Sequence, residues 1–385
     1  MKIAQVAPLA ESVPPALYGG TERIVSYLTE ELVALGHDVT LFASGDSITD
    51  AELVSICPHA LRLSPDCCDA AAAQALQMEL LLSRAQEFDV LHFHTDWAHL
   101  PLFSRLGVSI LMTLHGRLDF PDVPRLLYQA RDVAVVSISE AQRHPVAHAN
   151  WIGNVPHGLP FDLLQPQLKP GKYLAFLGRM CRDKGPDAAI RLARILGQPI
   201  RLAAKIAKGD QEYFDTVVRP LLTDPGVEFI GEISASQKAS FLGDASALLF
   251  PIDWPEPFGR VMIEAMACGT PVIAMRRGSV PEVIRDGVSG YVVNSEMEFL
   301  AAIDQVGDCS RAGVRQEFET RFTSRRMAQD YVRIYQKLLR QTATKASQDW
   351  RDRIAIGDKR PRQTVQSVRL VAAPVAPISP RAPSG

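Results

Sequence analysis

Short apolar runs alternate with amphipathic stretches along most of the chain. In the first half, runs at 3–7, 38–42, 90–93, 109–113, 133–137 and 151–155 have the length and composition of strands. Helical periodicity fills 22–35 and 70–86 between them. In 22–35, Ile24, Val25, Leu28, Leu32 and Leu35 share one face, and Gly36 supplies a stop signal. A stretch crowded with Pro156, Gly158, Pro160, Pro166, Pro170 and Gly171 then reads as a linker. The pattern restarts at 173–177, 200–204, 227–230, 247–250, 272–274 and 291–293. Such alternation predicts parallel sheets built from right-handed crossovers. The fold class is therefore α/β, with two doubly wound parallel-sheet domains of similar size facing across a cleft. Ligands bind such sheets beyond the carboxyl ends of their strands. The expected domains are 1–160 and 161–325, with a helix to 343 and a Pro/Arg-rich tail, 344–385, without packed structure. Residues 316–339 read as helical.

The totals narrow the class. A chain of 385 residues exceeds one ordinary core. With 47% hydrophobic and 22% charged residues, it has the composition of a soluble globular protein. A net charge of −2 provides no strong field for nucleic acid or anionic membrane. The six cysteines form no Cys-x-x-Cys pair and read as reduced, which places the protein in the cytoplasm. The N-terminus runs directly into a strand with no signal peptide, and no 18-residue apolar run is present to span a membrane.

The chemistry concentrates in Glu256-Pro-Phe-Gly-Arg-Val-Met-Ile-Glu264. Phe258-Gly259 can open a helix whose free N–H groups and dipole suit a diphosphate. Glu256 would precede that helix, and Glu264 would stand about two turns along it. Their separation matches the reach from a sugar ring past a diphosphate to a ribose, roughly 12 Å at 1.5 Å per residue. The bland alternative is a helix cap and a solvated face. Arg179 ends a strand and Lys184 follows five residues later, so two cations flank one βα loop and could neutralise a leaving diphosphate. Lys205 follows another strand end. Ser279 and Glu282 have the spacing of a capping box. In the first half, Gly19-Gly20 lies in a βα loop and permits close backbone approach. His115 ends a strand where it could polarise a sugar hydroxyl. His92 and His94 alternate on one strand face, with Asp96 next. Cleft or core histidines explain them better than a metal site, which would lack a completing ligand set.

Arg179 and Lys184, then Glu256-Pro-Phe-Gly through Glu264-Ala-Met-Ala-Cys-Gly-Thr-Pro-Val-Ile-Ala, then Pro281-Glu282-Val-Ile-Arg-Asp-Gly-Val-Ser-Gly290, resemble the donor half of the family-4 (group 1) retaining glycosyltransferases. Gly19-Gly20, Asp89-Val-Leu-His92-Phe-His94, His115-Gly116, Ser139-Glu140 and Pro156-His157-Gly158 resemble the acceptor half more diffusely. The resemblance covers roughly residues 1–340, by the extent of the alternating pattern. It implies a GT-B architecture of two Rossmann-like domains, with the last helix crossing back to the first. It implies that Arg179 and Lys184 bind the diphosphate, Glu256 the donor sugar and Glu264 the ribose. Phe258 and Gly259 would approach by backbone, and His115 would lie near the reacting centre. Gly19, Gly20 and His94 would line the acceptor side. It further implies retention of configuration, a nucleotide-diphosphate sugar as co-substrate, and no cofactor or metal. The family often has Asn where this chain has His157.

The expected partners are the donor, with UDP-sugars ahead of GDP-mannose, and a carbohydrate, lipid-linked or small-molecule acceptor. Arg311, Arg315, Arg321, Arg325 and Arg326 would form at most a weak membrane-facing patch, more simply read as a solvated helix face. The alternatives are a nucleotide-sugar epimerase of the same fold, which would need no acceptor, and a non-catalytic nucleotide-sugar binding module. A phosphorylase-like enzyme lacks a marked lysine for its cofactor.

Overall fold

The computed structural model describes residues 1–355 except 17, 18, 63, 65–68, 105 and 170, and the side chains of 235 and 345–355. The first sheet contains β1 (Lys2–Val6), β2 (Asp38–Ala43), β3 (Glu52–Ser55), β4 (Val90–Phe93), β5 (Ile110–Thr113), β6 (Ala134–Ser137) and β7 (Trp151–Asn154). Their spatial order is β3-β2-β1-β4-β5-β6-β7, with every pairing parallel. The second sheet contains β8 (Tyr173–Arg179), β9 (Ile200–Lys205), β10 (Val227–Gly231), β11 (Ala245–Phe250), β12 (Val272–Met275) and β13 (Gly290–Val293). Its order is β10-β9-β8-β11-β12-β13, again all parallel. Each order reverses once, at β1/β4 and at β8/β11. Those switch points are where loops diverge and leave a crevice.

Central strands are buried on both faces and so read as unbroken apolar runs, as β4, β5 and β6 do. The edge strand β3 went unread because its four residues are only half buried and its outer residues are polar. It is held by register with β2, Thr40 opposite Glu52 through Ala43 opposite Ser55.

The helical stretch expected over 316–339 is made of two helices. Helix Arg311–Arg321 ends, and Ser324–Ala355 begins afresh. Between them the chain pairs with the linker: Leu159 donates to the Phe322 carbonyl at 2.9 Å, and Ser324 donates to the Leu159 carbonyl at 2.7 Å. These non-helical partners for backbone groups divide the helix. The second helix covers the first sheet through Met327, Ala328, Tyr331, Ile334, Tyr335 and Leu338. It continues to Ala355, past the expected start of the tail. Residues 356–385, which make up most of that tail, lie outside the described residues.

The arginine patch is also corrected. Arg311 donates to the carbonyls of Gln167, Gly243 and Ala245, and Arg315 to those of Phe161, Leu164 and Ala267. Arg321 reaches the carbonyls of Glu282 and Val283, and Arg326 those of Pro156 and His157. Guanidinium groups with several fixed donors can bind converging carbonyls at chain crossings. Four of the five therefore join linker, sheet and helices. Only Arg325 remains at the surface, paired with Glu31.

Candidate active site

The donor-side motif forms the loop after β11 and the helix Arg260–Ala267. Gly259 is its N-cap, left-handed at φ 72° and ψ 60°, and a Cβ there would lie 2.6 Å from the Met262 methyl and 3.2 Å from Glu256 Cγ. Only glycine meets both conditions at low cost. Since the loop runs as far as Gly259, Glu264 stands one turn into the helix, not two.

Glu256 is buried at 8% exposure and pairs with the Lys184 ammonium. Lys184 also sits 4.9 Å from the centre of the Trp254 ring and 5.5 Å from that of Phe250. The Glu256 backbone is fixed from behind. Ser279 N–H donates to its carbonyl at 2.9 Å, and Gly278, at φ 51°, leaves only 2.3 Å between a hypothetical Cβ and that oxygen. Glu264 accepts from Lys238 at 2.9 Å and from Arg260 at 3.2 Å. Burial works against its charge, yet the two cations, Lys238 foremost, outweigh burial and hold the carboxyl below its usual range. Arg179 pairs with Asp210 at 3.1 Å.

A cavity of about 910 Å³ gathers these groups. Arg179, Lys184, Lys205, Lys238, Glu256, Phe258, Gly259, Arg260 and Glu264 line it from the second sheet, and Gly19, Gly20, His115 and His157 from the first. The structure thus brings together Arg179, Lys184, Lys205, Glu256, Phe258, Gly259 and Glu264, whereas Ser279 and Glu282 lie outside that lining. His94 lies apart from that lining and instead borders a second cavity of about 350 Å³, which shares Thr21, His115, Gly116 and Arg117 with the first.

Beneath the acceptor side, buried rings form a hydrogen-bonded row. His94 Nε2 lies 2.7 Å from Gln5 Oε1, His94 Nδ1 2.9 Å from His115 Nε2, and His115 Nδ1 3.2 Å from His157 Nε2. The Gln5 carbonyl can only accept, so each histidine donates through Nε2 toward Gln5. His157 Nδ1 is left as a buried atom without a hydrogen-bond partner. The His157 ring lies 4.8 Å from Phe258 of the opposite domain. His92 bonds Tyr335 at 2.8 Å and Thr113 at 2.7 Å, and Gln5 Nε2, 3.5 Å from His92 Nδ1, ties it to the row. Burial pushes His115 down to about 4, and burial with neighbouring histidines lowers His92, His94 and His157 well below the usual value. The row is therefore neutral near pH 7. Both ring nitrogens of His115 are engaged by histidines, so neither is left to polarise a sugar hydroxyl as expected. Among the described residues, no three His, Cys, Asp or Glu side chains converge in a way that would hold a metal ion.

Two bridges join the domains at the cleft. Arg260, which holds Glu264, also donates to the Gly20 carbonyl at 3.0 Å. Glu282 accepts the N–H groups of Glu140 and Ala141, both at 2.7 Å. This corrects the capping-box reading: the Ser279 side chain makes no cap bond, and Glu282 caps a turn of the other domain. Lys238 and Arg260 were missed as site residues, while Glu282 was singled out only as a capping partner and as part of the donor-half motif. Only Arg260 carried a signal, four residues before Glu264 on one helix face.

The chain matches the family description "Glycosyl transferases group 1" over residues 165–322 and "Glycosyltransferase Family 4" over 18–152. It therefore belongs to the group 1, family-4 glycosyltransferases, with the GT-B fold, and is an enzyme of that class. Spore coat protein SA of Bacillus subtilis (strain 168) is 24% identical, with 88% of this chain and 100% of that protein covered. A phosphatidyl-myo-inositol mannosyltransferase of Mycobacterium leprae (strain TN) is 26% identical over 76% of this chain and 83% of its own length. Among solved structures, a glycosyltransferase involved in avilamycin A biosynthesis superposes with a TM-score of 0.66 at 25% identity, covering 88% of this chain and 98% of that one. Anabaena HepE, solved with UDP and glucose, has a TM-score of 0.66 at 18% identity over 86% and 98% of the two chains. No helix among the described residues is long and apolar enough to cross a membrane.

Proposed function

We propose that this enzyme moves a sugar from a nucleotide-diphosphate sugar to an acceptor hydroxyl with retention of configuration and without a metal, UDP-sugars being favoured over GDP-mannose. The observation that carries this is the set of paired charges that gathers in the larger cavity. Along the segment from Glu256 to Glu264, Glu256 with Lys184 comes first, the start of the helix after Gly259 in the middle, and Glu264 with Lys238 and Arg260 last, and all of them line the cavity. Diphosphate fits the middle, because helix N–H groups and cations converge there. The ribose hydroxyls fit Glu264, and the sugar fits Glu256. Each carboxylate rests on a cation that the donor would share. Arg179 and Lys205 add positive charge at the carboxyl ends of β8 and β9, the service a metal would otherwise supply. Anabaena HepE, with UDP and UDP-glucose complexes, supports the choice of nucleotide.

In the reaction the bond from anomeric carbon to leaving phosphate oxygen breaks with oxocarbenium character. The acceptor oxygen bonds that carbon from the same face, and its proton passes to the departing phosphate oxygen. Lys184, Arg179 and the helix start stabilise the developing diphosphate charge, while Glu256 steadies the sugar cation. His115 is neutral and contributes position rather than charge.

Thermal stabilisation by UDP, GDP, ADP and dTDP, with EDTA present, tests this reading. A ligand specific to the folded state adds about 2.7 kcal/mol at a hundred times its dissociation constant. The expected result is a shift with UDP that vanishes in Glu264→Ala. Absence of any shift would remove the donor assignment.

A further inference from the structure

Arg260 opens the helix after Gly259, and its guanidinium reaches both domains. Its Nε donates to Glu264 Oε1 at 3.2 Å, and its Nη1 donates to the Gly20 carbonyl of the first domain at 3.0 Å. Lys238, on the helix Ala235–Gly243 of the second domain, donates to the same Glu264 oxygen, Oε1, at 2.9 Å. Glu264 is 5% exposed and lines the larger cavity, yet among the described residues no hydrogen bond reaches its Oε2. One oxygen is pinned twice, and the other is left for a ligand. Gly20 begins the helix Gly20–Ala34. A cation beside the first turn of a helix opposes the helix dipole, so the place of Arg260 there needs carboxylates to offset it. Glu264 is one. Glu22, buried in that first turn and bordering the smaller cavity, is another: burial raises its proton affinity, and Arg260 works against the rise. Further along the same helix, Tyr27 packs against the apolar cluster that includes Met262, Ile263 and Met266.

A guanidinium is a rigid fork, so its two bonds fix the position of Glu264 relative to the glycine turn, whereas the ammonium of Lys238 is a point charge that holds the carboxylate within one domain. We propose that Arg260 is a positioning residue for the donor: one arm holds Glu264 so that Oε2 accepts from the ribose hydroxyls, and the other holds the Gly19–Gly20 turn of the first domain. Recognition of the ribose is thereby tied to the contact between the domains, and the site separates ribonucleotides from 2′-deoxyribonucleotides. The proposal rests on the donor reading above, since it takes the ligand of Glu264 to be a ribose.

Calorimetric titration of the full chain with UDP and 2′-deoxy-UDP tests it, together with hydrogen exchange of the backbone amides of residues 19–25 with and without UDP. Wild type should prefer UDP about tenfold, the worth of one hydroxyl donating to a carboxylate, and UDP should slow exchange at the turn. Arg260→Met should erase most of that preference and the UDP-induced protection. Arg260→Lys keeps a charge for Glu264 but not the fork, so it should restore the preference without the protection. Lys238→Met should narrow the preference and leave the protection in place. If Arg260→Met binds UDP with the wild-type preference, or protects the turn fully, the proposal is overturned while the donor reading stands. The proposal is equally overturned if wild type binds UDP and 2′-deoxy-UDP alike. If neither nucleotide binds wild type, the donor reading fails and takes the ribose role of Arg260 with it.

Discussion

The two walls of the cleft solve the problem of buried polarity in opposite ways. The donor wall buries charge and pairs it: Glu256 with Lys184, and Glu264 with Lys238 and Arg260. The acceptor wall buries titratable rings and keeps them neutral, passing one sense of hydrogen bond from His157 through His115 and His94 to Gln5. Charge belongs where an anion departs, because paired ions in a dry site need little reorganisation when the ligand takes one of them. A neutral row suits a wall that must define shape without competing for the diphosphate. The difference also suggests how each wall fails. Removing one member of an ion pair strands a buried charge, while charging a neutral row by acid strains the fold.

The largest effect should come from Lys184→Ala. It leaves Glu256 buried without its cation and takes a donor from the leaving diphosphate, so turnover should fall about a hundred- to a thousandfold. Steady-state kinetics with a UDP-sugar donor would show this, and near-normal turnover would remove Lys184 from the site. Next is Gly278→Ala. A Cβ there meets the Glu256 backbone at 2.3 Å in a left-handed residue. A loss of about 1–3 kcal/mol in denaturant unfolding is expected, with turnover reduced too. An unchanged midpoint would show that the turn behind Glu256 yields freely.

The acceptor wall predicts acid lability. His115 has a folded-state value near 4 against the ordinary 6.5. A depressed value favours the folded state above pH 6.5, and that stability is lost as pH falls toward 4. His115 alone should account for about 1–2 kcal/mol lost by pH 5. His115→Gln should flatten the pH dependence of unfolding between 6.5 and 4, and an identical slope in wild type and variant would contradict the neutral row. The smallest effect belongs to the bridge between the walls. Glu282→Gln keeps shape, but its NH2 cannot accept, so one of the two backbone N–H bonds from Glu140 and Ala141 is lost and the other is no longer charge-assisted, costing about 1–2 kcal/mol in all. KM should rise a few-fold with UDP affinity unchanged, which two parallel titrations can separate.

Read from the residues alone, twelve of the thirteen strands are legible, along with the two-sheet plan and the donor motif. Parallel strands buried on both faces leave unmistakable apolar runs, and glycine beside acidic residues marks a helix start. The short edge strand β3, half buried, carries too little apolar signal. Tertiary structure alone decides that Glu282 reaches the other domain, that the arginines near the carboxyl end of the fold turn inward, and that Glu22 faces a cavity rather than solvent. It also places Gln5, His94, His115 and His157, which span more than 150 positions of sequence, within hydrogen-bonding reach of one another. The reason is physical. Periodicity and turn chemistry are local properties of a chain, whereas the partner of a charge or a ring depends on which strand ends the topology brings together.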